Sequence, residues 1–289
     1  PFIRASKTGV DAGKPRCYFP PPPAPARRRW LRRSRRKLLV QALQGSNIEE
    51  RVSRLRELTE AASAEVRQRY QQRFDVAWIY HDSALEGVVY SMDELRAAMS
   101  DEPVTDPSLI PVYDEIRNHM AAIEIIRDMA TRRRATVNLE VIKKLFAQLA
   151  PEELEGKGPP KYRKDMPLHR LYFHEIAQPD KISYRMRQLV QWLSDPETKK
   201  SMHVVRMASK AHYQLLHIYP FPRHSGKVAR LVMNLILMRA GYPPVVIHAT
   251  ERQRYYEALR NGEDATATLV NQALGGAIET AIQYFEDLR

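Results

Sequence analysis

From about Asn47 to the C-terminus, apolar residues recur at the three- and four-residue spacing that lines one face of a helix. The pattern is broken once, between 155 and 179, where Gly156, Gly158, Pro159, Pro160, Pro167 and Pro179 collect. The body is therefore expected to be all-α with a small β excursion. Helical stretches fall near 47–75, 92–100, 111–131, 137–150, 181–194, 201–217, 226–240, 251–260 and 264–286. Ser46 or Asn47 offers an N-cap for the first. Within the break, Leu168-His169-Arg170-Leu171-Tyr172-Phe173 has the make-up of a short hairpin arm. There is no internal repeat. The expected segments are a tail over 1–45, an N-terminal helical part over 46–150 and a core over 151–289.

Charge separates the tail from the body. The 289 residues carry 46 basic and 34 acidic side chains, a net of +12. Residues 1–38 hold twelve of the basic groups and one acid, Asp11, so nearly all the excess lies there and the body is almost neutral. That argues against reading the whole chain as a nucleic-acid binder. The tail also holds seven prolines, including Pro20 to Pro23, before Arg27-Arg28-Arg29-Trp30 and Arg32-Arg33-Ser34-Arg35-Arg36-Lys37. Proline lacks a donor and like charges repel, so the tail is expected to be disordered. Contact with RNA or acidic lipid, or a targeting role, are the alternatives there. The sequence opens on Pro1 rather than methionine, which leaves room for residues upstream.

A single cysteine, Cys17, excludes an internal disulfide framework and a cysteine-based zinc site. A reducing cytoplasm is the expected compartment. No run of about eighteen apolar residues is present, so no membrane-spanning helix is expected.

The chemistry-bearing stretch is Leu215-Leu216-His217-Ile218-Tyr219-Pro220-Phe221-Pro222-Arg223-His224-Ser225-Gly226-Lys227-Val228-Ala229-Arg230. A helix ends near His217, a loop with two prolines follows, and a second helix opens near Gly226. That helix carries an apolar stripe at Val228, Leu231, Val232, Leu235 and Ile236. Its first turn points free N–H groups into the loop, and its dipole adds partial positive charge. Ser225 and Gly226 are small enough for a phosphate to approach, while Lys227 and Arg230 add full charges. This is the make-up of an anion site at a helix N-terminus.

The stretch resembles the signature loop of Fic-domain (Fido-fold) proteins, H-P-F-x-D-G-N-G-R-x-x-R, and 231–244 is close to the usual continuation. Tyr162-Arg163 and the hairpin candidate resemble the family's flap, which aligns a target segment by strand addition. Asp82-Ser83-Ala84-Leu85-Glu86-Gly87 resembles its inhibitory motif, S/T-x-x-x-E-G/N, and Ser91-Met92-Asp93-Glu94-Leu95 opens a helix as family members do. The likeness covers roughly 50–286. It implies a helical bundle with a short β-hairpin flap at Leu168, His169, Arg170, Leu171 and Tyr172. It also implies ATP or another nucleotide as ligand, a protein docking at the flap, and a homodimer.

The departures fall on the catalytic positions. In active members the motif histidine takes a proton from a target hydroxyl, which then attacks the α-phosphate of ATP. Tyr219 stands there in this chain, and a phenol with a pKa of about 10 is a poor base at neutral pH. Arg223 stands where the family's acidic residue holds Mg²⁺; it cannot coordinate a cation, although it can pair with phosphate. His224-Ser225 replaces Gly-Asn, Lys227 replaces an arginine, and Gly226 and Arg230 are retained. His224, or less readily His217, is a candidate replacement base. Glu86, followed by Gly87, is expected to pair with Arg230, as the inhibitory glutamate does in the family.

Three readings remain open at this stage. The resemblance and the losses together point to a nucleotide- or phosphate-binding protein with lost or altered AMP transfer. The alternative is an active, non-standard transferase of AMP or another phosphate-containing group, using Tyr219 or His224. A tail-anchored adaptor is the third.

Overall fold

The computed structural model describes residues 48–100, 106–132, 136–154, 158–167 and 174–288. Eleven α-helices occur among these residues, joined by short 3₁₀ turns, and no strand does. The expected tail, the cap at Ser46 or Asn47, and the flap residues Leu168 to Tyr172 lie outside the described residues.

The first expected helix is in fact two. Helix α1 spans Ile48–Ala61 and α2 spans Ala64–Leu85, with Ser63 between them capping α2 by accepting from Val66 N at 3.2 Å. Ser63 is the break that the helical spacing did not reveal, a side-chain acceptor that completes an orphan N–H at a helix start. Helix α2 then runs ten residues beyond the expected end at 75. That extension carries Asp82 and Glu86 to its C-terminal end, where Gly87 at φ 94° turns the chain away.

Helix α3 (Met92–Ala98) opens on a capping box. Ser91 Oγ accepts from Glu94 N at 3.1 Å, and Glu94 Oε2 accepts from Ser91 N at 2.7 Å. Next come α4 (Ile110–Thr131), α5 (Leu139–Leu149), α6 (Pro179–Ser194) and the short α7 (Pro196–Ser201). Helices α8 (Val204–Ile218) and α9 (Ser225–Arg239) flank the loop, followed by α10 (Arg252–Asn261) and α11 (Glu263–Asp287).

Helix α9 is the central element. Every residue from Ser225 to Leu237 is buried, because α8, α4 and α5 all pack on it. A helix covered on all sides carries apolar residues all round, and Leu231, Val232, Met233, Leu235 and Leu237 meet that demand. Asn234 is a polar exception, beside Ser225, Lys227 and Arg230 of the first turns. Its side chain donates to Val245 O at 3.0 Å and accepts from Val245 N at 2.7 Å, so it ties the strand-like connection after α9 back onto the helix. Helix α11 closes the other side, against α1, α8 and α10.

A buried ion pair fixes α2 to α4. Asp75 meets the Arg127 guanidinium with both oxygens, one contact at 3.0 Å, and also accepts from Gln71 at 3.0 Å. Further along the same two helices, Asp82 and His119 face each other at 3.0 Å. Residues 48–289 form one compact unit. No helix among the described residues is long and apolar enough to cross a membrane.

Two core histidines make stability pH-dependent. His119 and His212 are fully buried, and burial is the main cause holding both below the ordinary imidazole value, His212 at about 3. Both are neutral in the folded chain at pH 7, whereas the unfolded chain takes up their protons below about 6.5. Unfolding free energy should thus fall on acidification from pH 7 to 5, by about 1.4 kcal/mol per pH unit below 6.5 for His212, with His119 adding to the fall. Urea titrations across that range check this, and a flat profile would contradict it. His119→Gln and His212→Gln variants should each lessen the slope.

Candidate functional site

The loop between α8 and α9 is held by its own backbone and side chains. Helix α8 ends where Tyr219 enters the left-handed region at φ 47°, its N–H donating to Leu215 O at 2.8 Å. His224 enters the same region at φ 55° and opens α9. Neither is glycine, and each such excursion costs about 1–2 kcal/mol in an L-residue. The surrounding contacts hold the geometry. Ser225 Oγ accepts from Phe221 N at 2.8 Å and donates to Phe221 O at 2.9 Å. The Phe221 ring stacks on Phe146 of α5, centroids 4.1 Å apart and planes 4° from parallel.

Arg163 pins the other side of the loop. It is buried, and its Nε donates to Tyr219 O at 2.7 Å while its terminal nitrogens reach Ile218 O, Asp165 O and Ala177 O. Its own N–H donates to Pro220 O at 2.9 Å. Charge is used here for loop architecture. A cleft of about 370 Å³ lies alongside, lined by Phe146, Tyr162, Met166, Pro167 and Pro222 among others.

The anion-site residues do come together at the start of α9, but the protein's own carboxylate is already there. Glu86 Oε1 accepts from Arg230 at 2.9 Å. It also lies so close to Gly226 that a Cβ added at that glycine would overlap it, and would stand 3.0 Å from the Arg230 guanidinium. Only glycine permits this approach. The expected pairing of Glu86 with Arg230 is thus present in the geometry.

Arg230 has a second and closer partner. Its Nε meets Asp82 Oδ1, its NH2 donates to Asp82 O at 3.2 Å, and its NH1 reaches Tyr255 OH at 3.4 Å. The Arg230 and Asp82 side chains are each only 3% exposed. Burial raises the Asp82 carboxyl, but Arg230 and His119 outweigh it and hold the group at about 2. Lys227, also buried, pairs with Glu115 of α4 at 2.9 Å. Burial raises the Glu115 carboxyl, and Lys227 more than offsets that and brings it below the usual range.

The remaining candidates diverge from the sequence reading. Tyr219 is buried at the loop's start. His224 is buried too; desolvation, then Lys227, push its imidazole down to about 4, so it is neutral at pH 7. His217 is partly buried, its Nδ1 at 2.9 Å from Tyr213 O and its ring 4.0 Å from that of Tyr213. Arg223 is exposed and meets Glu152 at 3.4 Å. Ser225 spends its hydroxyl on Phe221. Gly87 turns the chain at the end of α2 rather than lining the loop.

The sequence reading gives no role to Asp82, Glu115 or His119. Asp82 had a local signal, since it stands four residues before Glu86 on one helix face. Glu115 and His119 had none, because they reach the loop only through packing of α4 on α9. The loop from Tyr219 to Ser225 contributes no carboxylate, Arg223 is a cation, and no cluster of three metal-ligating side chains occurs among the described residues.

Comparison with known proteins bears on the fold. Residues 136–237 match the Fic/DOC family. A protein adenylyltransferase Fic of Culex quinquefasciatus is 32% identical over 188 residues, covering 63% of this chain and 36% of the relative. That of Drosophila mojavensis is 30% identical over 220 residues, covering 74% and 41%. The chain therefore spans about two fifths of the length of these relatives. Among solved structures, Fic-1 of C. elegans superposes with a TM-score of 0.72 at 21% identity, covering 89% of this chain and 77% of that one. A Fic-domain signaling protein of Bacteroides thetaiotaomicron gives 0.70 at 22% identity, covering 83% and 97%. The matched segment includes the whole loop and the buried α9 around which the bundle is built, and the chain is a Fic-domain protein.

Proposed function

We propose that this chain binds a nucleotide or another phosphate-bearing ligand at the start of α9, is held shut by its own Glu86, and has lost AMP transfer. The observation that carries the reading is the Glu86 carboxylate lying against Gly226 and paired with Arg230. A carboxylate seated at a helix N-terminus marks the place as one that favours an anion. Gly226, Lys227 and Arg230 keep the phosphate-binding end of the loop.

The loss of transfer follows from proton chemistry. A target hydroxyl must give up its proton as it attacks phosphorus. Tyr219 is a phenol, ordinarily protonated at neutral pH. His224 is neutral but very weakly basic at about 4, and a general base works best with a pKa near the operating pH. Arg223, turned toward Glu152, supplies neither a base nor a metal ligand.

A second reading is favoured by the relatives named protein adenylyltransferase Fic: transfer of AMP to a protein hydroxyl, with Tyr219 or His224 as base and without Mg²⁺. The protein partner would dock at residues 168–172. The two readings differ in one measurable product.

Two outcomes test the proposal. In thermal-shift titrations, the Glu86→Gly chain should be stabilised by AMP or ATP and the unaltered chain much less so. Ligand at about a hundredfold excess over Kd adds about 2.7 kcal/mol, a shift of several degrees. No shift in either chain would remove nucleotide binding. Separately, incubating both chains with ATP, with and without Mg²⁺, should leave their intact masses and those of added proteins unchanged. A gain of one AMP would establish the second reading.

A further inference from the structure

The charge balance around α9 says more about the ligand, provided that the nucleotide-binding reading above holds. Suppose Glu86 swings away. The charges left at the helix start are Lys227 and Arg230 on one side, Glu115 and Asp82 on the other. Lys227 stays 2.9 Å from Glu115, with a side chain 1% exposed. Arg230 stays against Asp82, which grips it through both a carboxylate oxygen and the backbone carbonyl. Each cation is cancelled by a buried anion.

The other described groups are neutral or engaged elsewhere. His224 is neutral at pH 7. Arg223 lies outside, with Glu152. Arg252, the next cation along, donates to Leu85 O at 3.0 Å and lies over the Tyr256 ring at 5.3 Å. Tyr255 is buried, and burial raises its phenol further, so it stays uncharged. With Lys227 and Arg230 both paired, an incoming anion therefore meets chiefly the helix start, worth about half an elementary charge. One anionic group suits that field, and the structure seats one there, the single carboxylate of Glu86. A triphosphate would bring further negative charge beside Asp82 and Glu115, with Lys227 and Arg230 already paired, a poorly compensated arrangement in a poorly solvated place.

We propose that Asp82 sets the charge of the ligand: by consuming Arg230, it makes the loop select a nucleoside monophosphate over the triphosphate. Asp82 does not touch the ligand. It acts through Arg230 and is a specificity-determining, positioning residue.

The experiment compares AMP and ATP as probes, by isothermal titration at fixed ionic strength without divalent cation, in the full chain carrying Glu86→Gly. AMP should bind at least as tightly as ATP. Adding Asp82→Asn, which frees the guanidinium charge, should move the preference toward ATP by about tenfold or more, where tenfold is 1.4 kcal/mol. Inorganic phosphate and tripolyphosphate should follow the same order in both chains. Tighter binding of ATP than AMP in Glu86→Gly alone overturns the proposal and leaves nucleotide binding standing. So does an unchanged preference in a folded Asp82→Asn chain, folding being checked by circular dichroism; if that chain does not fold, the Glu86→Gly comparison decides alone. No binding of either nucleotide overturns the nucleotide-binding reading and this proposal with it.

Discussion

The guanidinium of Arg230 is the point on which the arrangement turns. It is buried in the middle of the bundle, where an unpaired charge would be very costly, and it is shared by two carboxylates of α2. That sharing joins the end of α2 to the first turns of α9 and brings Glu86 over Gly226. The Lys227–Glu115 pair does the same for α4. Three helices distant in sequence are thus fixed around one loop by charges that a dry interior makes selective about their partners.

Much of this was legible in the sequence because it is local. Helical spacing, the capping residues and the glycine after Glu86 all act over a few residues, and the helices fall near where those signals put them. The order of motifs identified the loop, its flanking helix and the glutamate that faces it. The limits of α2 were less legible, since nothing local predicts that packing against α4 carries it on to Leu85. Asp82 was legible only as part of the motif before Glu86, and the roles of Glu115 and His119 were not legible. They depend on which faces of α2, α4 and α9 meet, and that is decided by the whole core.

Arg223 shows the converse error. By position in the loop it belongs with the phosphate-binding residues, but by geometry it faces Glu152 and solvent. A side chain with five donors and a long stem reaches whichever acceptor is near and hydrated. A motif position fixes where a Cα is, and says much less about where such a side chain ends. Buried Ser225 differs because its short hydroxyl has only the Phe221 backbone within reach.

The reciprocal bonds between Ser225 and Phe221, the stacked phenyl rings and the Arg163 anchor leave the loop little freedom to reshape. Access to the first turn of α9 therefore need not await a backbone rearrangement. The obstruction is one carboxylate on a few rotatable bonds, at a helix end followed by glycine. Opening would be a rotamer exchange that must first break the pair with Arg230, in a side chain only 8% exposed. Admission to this site is then governed by how often Glu86 is away, a population, rather than by how fast a lid can travel.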